Sequence, residues 1–160
     1  MKSSFLHTTY KRVAIKEARS YQSFKNFNTN PMKNIKTQNV FIVDDDPFWT
    51  GILSQTLEEI GFNAIQSFEN EKDFLNRLAE QHPDLIFLDY QLEDTDGLQL
   101  LQKIKAVNEN IHVVFCTALE DLGVAISAIE FGSAEYLLKS NASEEVVSKI
   151  IDSFQFSKVA

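Results

Sequence analysis

Four short apolar runs end abruptly in polar chemistry: "VFIV" in Asp44, Asp45 and Asp46, "LIFL" in Asp89, "VVFC" in Thr117 and "EYLL" in Lys139. Carboxylates gathered in one place raise one another's pKa or require a cation. A hard, oxygen-seeking ion such as Mg²⁺ meets that requirement, held by a few carboxylates with waters completing its octahedron. The same ion neutralises a phosphoryl group in transfer, and a lysine pairs with phosphate oxygens as a point charge. Thr117 can donate its hydroxyl to those oxygens. Asp89 would then be the nucleophile, forming an acyl phosphate. Asp46, followed by Pro47, has the signature of a helix N-cap.

This chemistry requires the four run-ends to meet, and the pattern of elements provides for it. After "VFIVD", Phe48, Ile52, Leu53, Leu57 and Ile60 recur at helical spacing until Gly61. "FNAIQ" reads as a weaker strand, and Phe74, Leu75 and Leu78 mark a second helix stopped by "HPD". "LIFLD" is apolar on both faces, as a central parallel strand must be. Leu98, Leu101, Ile104 and Val107 predict a third helix, "IHVVFC" a fourth strand, and Leu122, Ala125, Ile126 and Ile129 a fourth helix ending near Gly132. "AEYLL" is the last strand. Ser143 caps a final helix with Glu144 and Glu145 in its first turn and a stripe of Val146, Val147, Ile150, Ile151 and Phe154. Strands alternating with helices make one parallel sheet, doubly wound, with helices on both faces. Sites in such folds lie beyond the carboxyl ends of the strands, where all four reactive run-ends fall.

Composition sets the boundaries. The chain's 160 residues accommodate one ordinary domain and an appendage. Residues 1–39 carry eight basic residues against Glu17 alone, a net of +7, leaving −15 for the rest of a chain whose total is −8. Residues 1–37 are expected to form a basic, disordered extension and residues 38–158 the domain. The extension reads as an interaction arm, a targeting peptide, or residues preceding a true start at Met32. So acidic a domain has no general attraction for nucleic acid. No apolar stretch reaches membrane-spanning length. The one cysteine, Cys116, excludes a disulfide framework and fits a reducing, cytoplasmic setting.

"VFIVDDDP", "PDLIFLDYQLEDTDG", "VVFCTA" and "AEYLLKS" resemble, in order, the successive blocks of the bacterial two-component response-regulator receiver domain. The resemblance covers about residues 38–158 and implies a flavodoxin-like sheet with strand order 2-1-3-4-5. It implies that Asp44, Asp45, Asp89 and the backbone carbonyl of Gln91 bind Mg²⁺, and that Asp89 is the phosphoacceptor. It further implies that Thr117 is the switch hydroxyl, Lys139 the phosphate-pairing lysine, and Tyr136 the aromatic that swings inward when Thr117 moves. Two positions depart from the pattern. Ser140 stands where proline commonly follows the lysine, often through a cis bond that costs ~3–4 kcal/mol before any other residue. A trans or strained turn is therefore expected after Lys139. Glu93 stands where proline is common in the loop after Asp89.

The function implied is that of a stand-alone, chemotaxis-regulator-like receiver. It would be phosphorylated on Asp89 by a sensor histidine kinase or phosphotransfer protein, with no enzymatic activity beyond slow self-dephosphorylation. Because the sequence ends about where the fifth helix does, output is expected through protein contact or onward phosphotransfer, as a monomer or a phosphorylation-dependent dimer. Rival readings fare worse on the residues. An aspartate-nucleophile, Mg²⁺-dependent phosphatase needs an acid two residues after its nucleophile, and that position is Gln91. A flavodoxin-like electron carrier needs a phosphate loop after its first strand, where "DDDP" would repel the anion. A receiver acting on nucleic acid through its basic arm is the third alternative.

Overall fold

Helix starts in this chain are set by short polar side chains, and the three central strands by apolar runs. The computed structural model describes residues 37–154 and 156. Strand β1 (Asn39–Val43) leads into helix α1 (Pro47–Ile60), capped by Asp46, whose carboxylate accepts from Phe48 N and Trp49 N. Gly61, in the left-handed region at φ 118°, closes α1 by donating to the carbonyls of Leu57 and Glu58. There follow β2 (Ala64–Phe68), α2 (Glu71–Glu80, capped by Asn70), β3 (Leu85–Asp89) and α3 (Gly97–Val107, capped by Asp96). The order ends with β4 (His112–Thr117), α4 (Leu122–Glu130, capped by Asp121), β5 (Glu135–Leu138) and α5 (Glu144–Ser153, capped by Ser143).

All pairings are parallel, as the alternation of elements predicts, in the order β2-β1-β3-β4-β5 that the resemblance implies. Alternation along the strands divides the core. Val40, Ile42, Leu85, Phe87, Val114, Cys116 and Leu137 join Trp49, Leu53 and Leu57 of α1 and Val147 and Ile151 of α5. Phe41, Val43, Ile86, Leu88, Val113 and Phe115 join Phe74 and Leu78 of α2, Leu100, Leu101 and Ile104 of α3, and Ala128 of α4. β3, at the centre, is buried at every position.

Several expected stripes are rotated. Phe48 is 76% exposed and Ile52 42%, so α1 buries Leu53 and Leu57 of the expected stripe together with Trp49. Phe48–Ile52 and Trp49–Leu53 both satisfy helical spacing, and packing against the sheet selects the second pair. Val107 of α3 and Leu122 of α4 are likewise exposed, and Ala128 is the buried residue of α4. Thr117 does not cap α4, which starts five residues later behind Asp121. The expected extension over residues 1–37 lies outside the described residues, Thr37 excepted. Among the described residues, no helix is long and apolar enough to cross a membrane.

Candidate functional site

The strand register assembles the reactive run-ends. Val43 pairs with Leu88 and Asp89 with Cys116, while Thr117 pairs with Leu138. Asp44 therefore emerges beside Asp89, and Lys139 follows directly from β5. By the same alternation Asp44, Asp89 and Lys139 share the α1/α5 side of the sheet, whereas Thr117 and Tyr136 have the parity of the opposite side.

Asp44, Asp45 and Asp89 each offer a carboxylate oxygen within 4.8 Å of the others, the geometry of a shared cation site. Asp44 and Asp89 are buried and Asp45 half-buried. Lys139 Nζ lies 2.7 Å from Asp44 Oδ2 and 3.1 Å from Asp89 Oδ1, bridging the two. The peptide bonds of the described residues are all trans, and Lys139 opens a 3₁₀ turn, Lys139–Asn141. The residue pattern after Lys139 thus needs no cis bond for its ammonium to reach both acids.

Burial is the main cause of the unusual proton affinities here. It pushes the Asp89 carboxyl up to about 6, assisted by repulsion from Asp44 and opposed by Lys139. Asp44 is also raised, burial outweighing the Lys139 and Asp46 hydrogen bonds. For Lys139 burial acts downward, but the pairing with Asp44 and the charge of Asp89 outweigh it and hold the ammonium charged. Crowded, buried carboxylates with a raised pKa are the donor set a hard divalent ion relieves, so the residues present fit Mg²⁺.

The surrounding loops fix these acids in place. Asp46 N donates to Asp44 Oδ1 at 3.0 Å, so the capping residue also orients its neighbour. Glu93 N donates to Asp45 Oδ2 at 2.9 Å, a bond that proline at this position would lack. Gln91 is exposed and forms an isolated antiparallel bridge with Asp96, which brings the loop back to the start of α3. Gly97 permits the return: a Cβ there would meet the Asp89 carbonyl oxygen at 2.2 Å and Tyr90 Cα at 2.8 Å. Thr117 is buried, and its hydroxyl accepts from Leu119 N at 3.1 Å. Tyr136 is half-buried, stacked on Phe115, and donates to the Leu119 carbonyl at 3.1 Å. Thr117 and Tyr136 thus hold one backbone residue from two directions.

Four features escaped sequence reasoning. Asp96, Glu93 and Leu119 act through backbone or capping bonds. Trp49, expected to pack at the start of α1, also places its ring 5.6 Å from Lys139 Nζ. His112 is structural, as expected of a strand residue, stacked on Phe154. Cys116 is fully buried, and burial pushes its thiol far up, which makes it inert.

A doubly wound parallel sheet thus carries an acidic triad and a lysine at its carboxyl edge. The pattern of the response regulator receiver domain family matches residues 40–151, and the chain belongs to that family. The sensory transduction protein LytR of Staphylococcus haemolyticus is 38% identical over 113 residues, covering 68% of this chain and 43% of LytR. The chemotaxis protein CheY of Bacillus subtilis is 26% identical over 111 residues, covering 69% of this chain and 92% of CheY. A two-component response regulator from Clostridium difficile superposes with a TM-score of 0.68 at 26% identity, covering 73% of this chain and 94% of that one. The chain thus spans less than half of LytR but nearly all of CheY.

Proposed function

We propose that the domain accepts a phosphoryl group on Asp89 from a sensor histidine kinase or phosphotransfer protein and passes the signal on by protein contact or onward phosphotransfer. The observation that carries this reading is Lys139 bridging Asp44 and Asp89 inside a three-carboxylate cluster. An Asp89 oxygen attacks phosphorus while the bond to the donor breaks, leaving an acyl phosphate on this chain. Burial pushes the Asp89 carboxyl up to about 6, so it is still ionised at neutral pH, the state that the attack requires. Asp44, Asp45, Asp89 and the Gln91 carbonyl would hold Mg²⁺, which would supply charge neutralisation for the incoming group.

Lys139 is placed to pair with a phosphoryl oxygen by leaving Asp89 Oδ1. Thr117 donates its hydroxyl to another, and because its side chain has the opposite parity to Asp89 it must move to do so, drawing its oxygen away from Leu119 N. That release loosens the Leu119 backbone that also holds Tyr136, so the charge at Asp89 is read at the α4 end of the sheet. The acceptor would occupy a domain of residues 38–158.

Intact-mass measurement with Mg²⁺ and a small acyl-phosphate donor tests the chemistry. One base-labile phosphoryl group is expected on the wild-type chain and none on Asp89→Asn. A stable adduct, or equal labelling of both proteins, would remove Asp89 from its role.

A further inference from the structure

We propose that Trp49 is a positioning residue for Lys139, its indole face confining the ammonium over the carboxylates. Lysine carries its charge on a long, freely rotating stem, so the site must restrict where that charge goes. The backbone after Lys139 offers little restriction. It is a single 3₁₀ turn whose Ser140 and Asn141 are exposed, with no proline ring to fix the chain. Two acids hold the ammonium on one side, Asp44 at 2.7 Å and Asp89 at 3.1 Å. The Trp49 ring, 5.6 Å from Nζ to its centroid, lies within cation–π range.

The ring is itself well anchored. Trp49 is 8% exposed and belongs to the core layer of Leu53, Val147, Ile151 and Phe154, which joins α1 to α5. Its Nε1 makes no hydrogen bond among the described residues, although a buried indole N–H normally finds one. Its position is therefore set by packing, and the ring face supplies its interaction with the site. An aliphatic side chain could occupy the same core space, but it would not attract the cation. Trp49 thus opposes the swing of Lys139 into solvent when Asp89 gives up its contact to the incoming phosphoryl oxygens. This role rests on Lys139 pairing with the phosphoryl group.

The test uses the full chain with saturating Mg²⁺ and a small acyl-phosphate donor, varying donor concentration. Trp49→Leu is expected to lower the maximal labelling rate about fivefold, the scale of a partly desolvated cation–π contact. The half-saturating donor concentration stays nearly constant, and Trp49→Phe restores most of the rate. In a Lys139→Met background, Trp49→Leu has no further effect, because both proteins then lack the charge the ring holds. Loss of packing alone would slow labelling equally in both backgrounds and would overturn the proposal, as would wild-type rates in Trp49→Leu. A second readout needs no labelling: the Lys139 ε-methylene protons should be shifted upfield by the ring in wild-type NMR spectra and return to ordinary values in Trp49→Leu. If the wild type takes no label, the phosphoacceptor reading fails and this shift still decides the placement. Its absence would sink the role of Trp49.

Discussion

At the scale of single residues, the three consecutive aspartates have divided their work. Asp46 caps α1, Asp44 is buried against Lys139, and Asp45 is held by the Glu93 amide. Asp46→Ala should cost about 1 kcal/mol of stability, as lost caps do, while calorimetry still detects Mg²⁺ uptake. Asp45→Asn should do the reverse, with binding lost and stability nearly kept. Asp89 makes a distinct prediction through its raised pKa of about 6. The folded state then binds more protons than the unfolded chain between the ordinary carboxylate range, near 4, and about 6. Stability therefore falls as pH rises through that window and is flat above it. A shift of this size corresponds to at most ~3 kcal/mol, with the attraction of Lys139 already counted in it, and an asparagine that still needs hydrogen-bond partners recovers only part. Asp89→Asn should accordingly gain about 1–2 kcal/mol in urea unfolding at pH 7 without Mg²⁺, and nothing at pH 4. A variant less stable than wild type at pH 7 would show that Lys139 dominates instead.

At the scale of elements, the site depends on how closely α3 starts against β3. Gly97 is buried, and any side chain there would strike the Asp89 and Tyr90 backbone. Gly97→Ala should cost about 2–3 kcal/mol, the usual range for overpacking, and abolish labelling by moving the strand end. Gly51, on the exposed face of α1 with nothing near its Cβ position, is the control: Gly51→Ala should stabilise by about 0.5–1 kcal/mol through helix propensity alone. Thermal or urea unfolding distinguishes the two. The same elements show what a sequence can disclose. Strand runs such as "LIFLD" and caps such as Asp46 and Ser143 are local signals, and they located the elements, whereas the sheet order came from the family resemblance. The reactive residues were legible because each ends a strand, and parallel strands bring their ends together. Facing was not legible on α1, because Phe48–Ile52 and Trp49–Leu53 have identical spacing and only the sheet chooses between them. The contact of Trp49 with Lys139 joins residues 90 positions apart and leaves no mark in either neighbourhood.

At the scale of the molecule, the acceptor and the expected readout lie on opposite parities of one sheet. Asp44, Asp89 and Lys139 share the α1/α5 side, so a charge gained there must be transmitted around the edge of β4. Leu119 is the one residue bonded to both Thr117 and Tyr136 among the described residues. The helix that follows is lightly anchored: Ala128 is its buried residue, while Val124, Ala125, Ile126 and Ile129 are half-buried. Segments with few buried contacts occupy the low end of local stability, where small changes in bonding shift populations. A stable phosphate mimic bound at Asp89 should draw the Thr117 hydroxyl away and free the Leu119 amide. Hydrogen exchange at Leu119 and in the first turn of α4 should then quicken by about tenfold or more, corresponding to ~1.4 kcal/mol for one such bond. Thr117→Val should give the fast exchange at Leu119 without the mimic, and Tyr136→Phe should loosen the same loop from its carbonyl side. Exchange unchanged by the mimic, with Thr117→Val already fast, would mean that Thr117 never leaves Leu119 and that the signal takes another route out of the site.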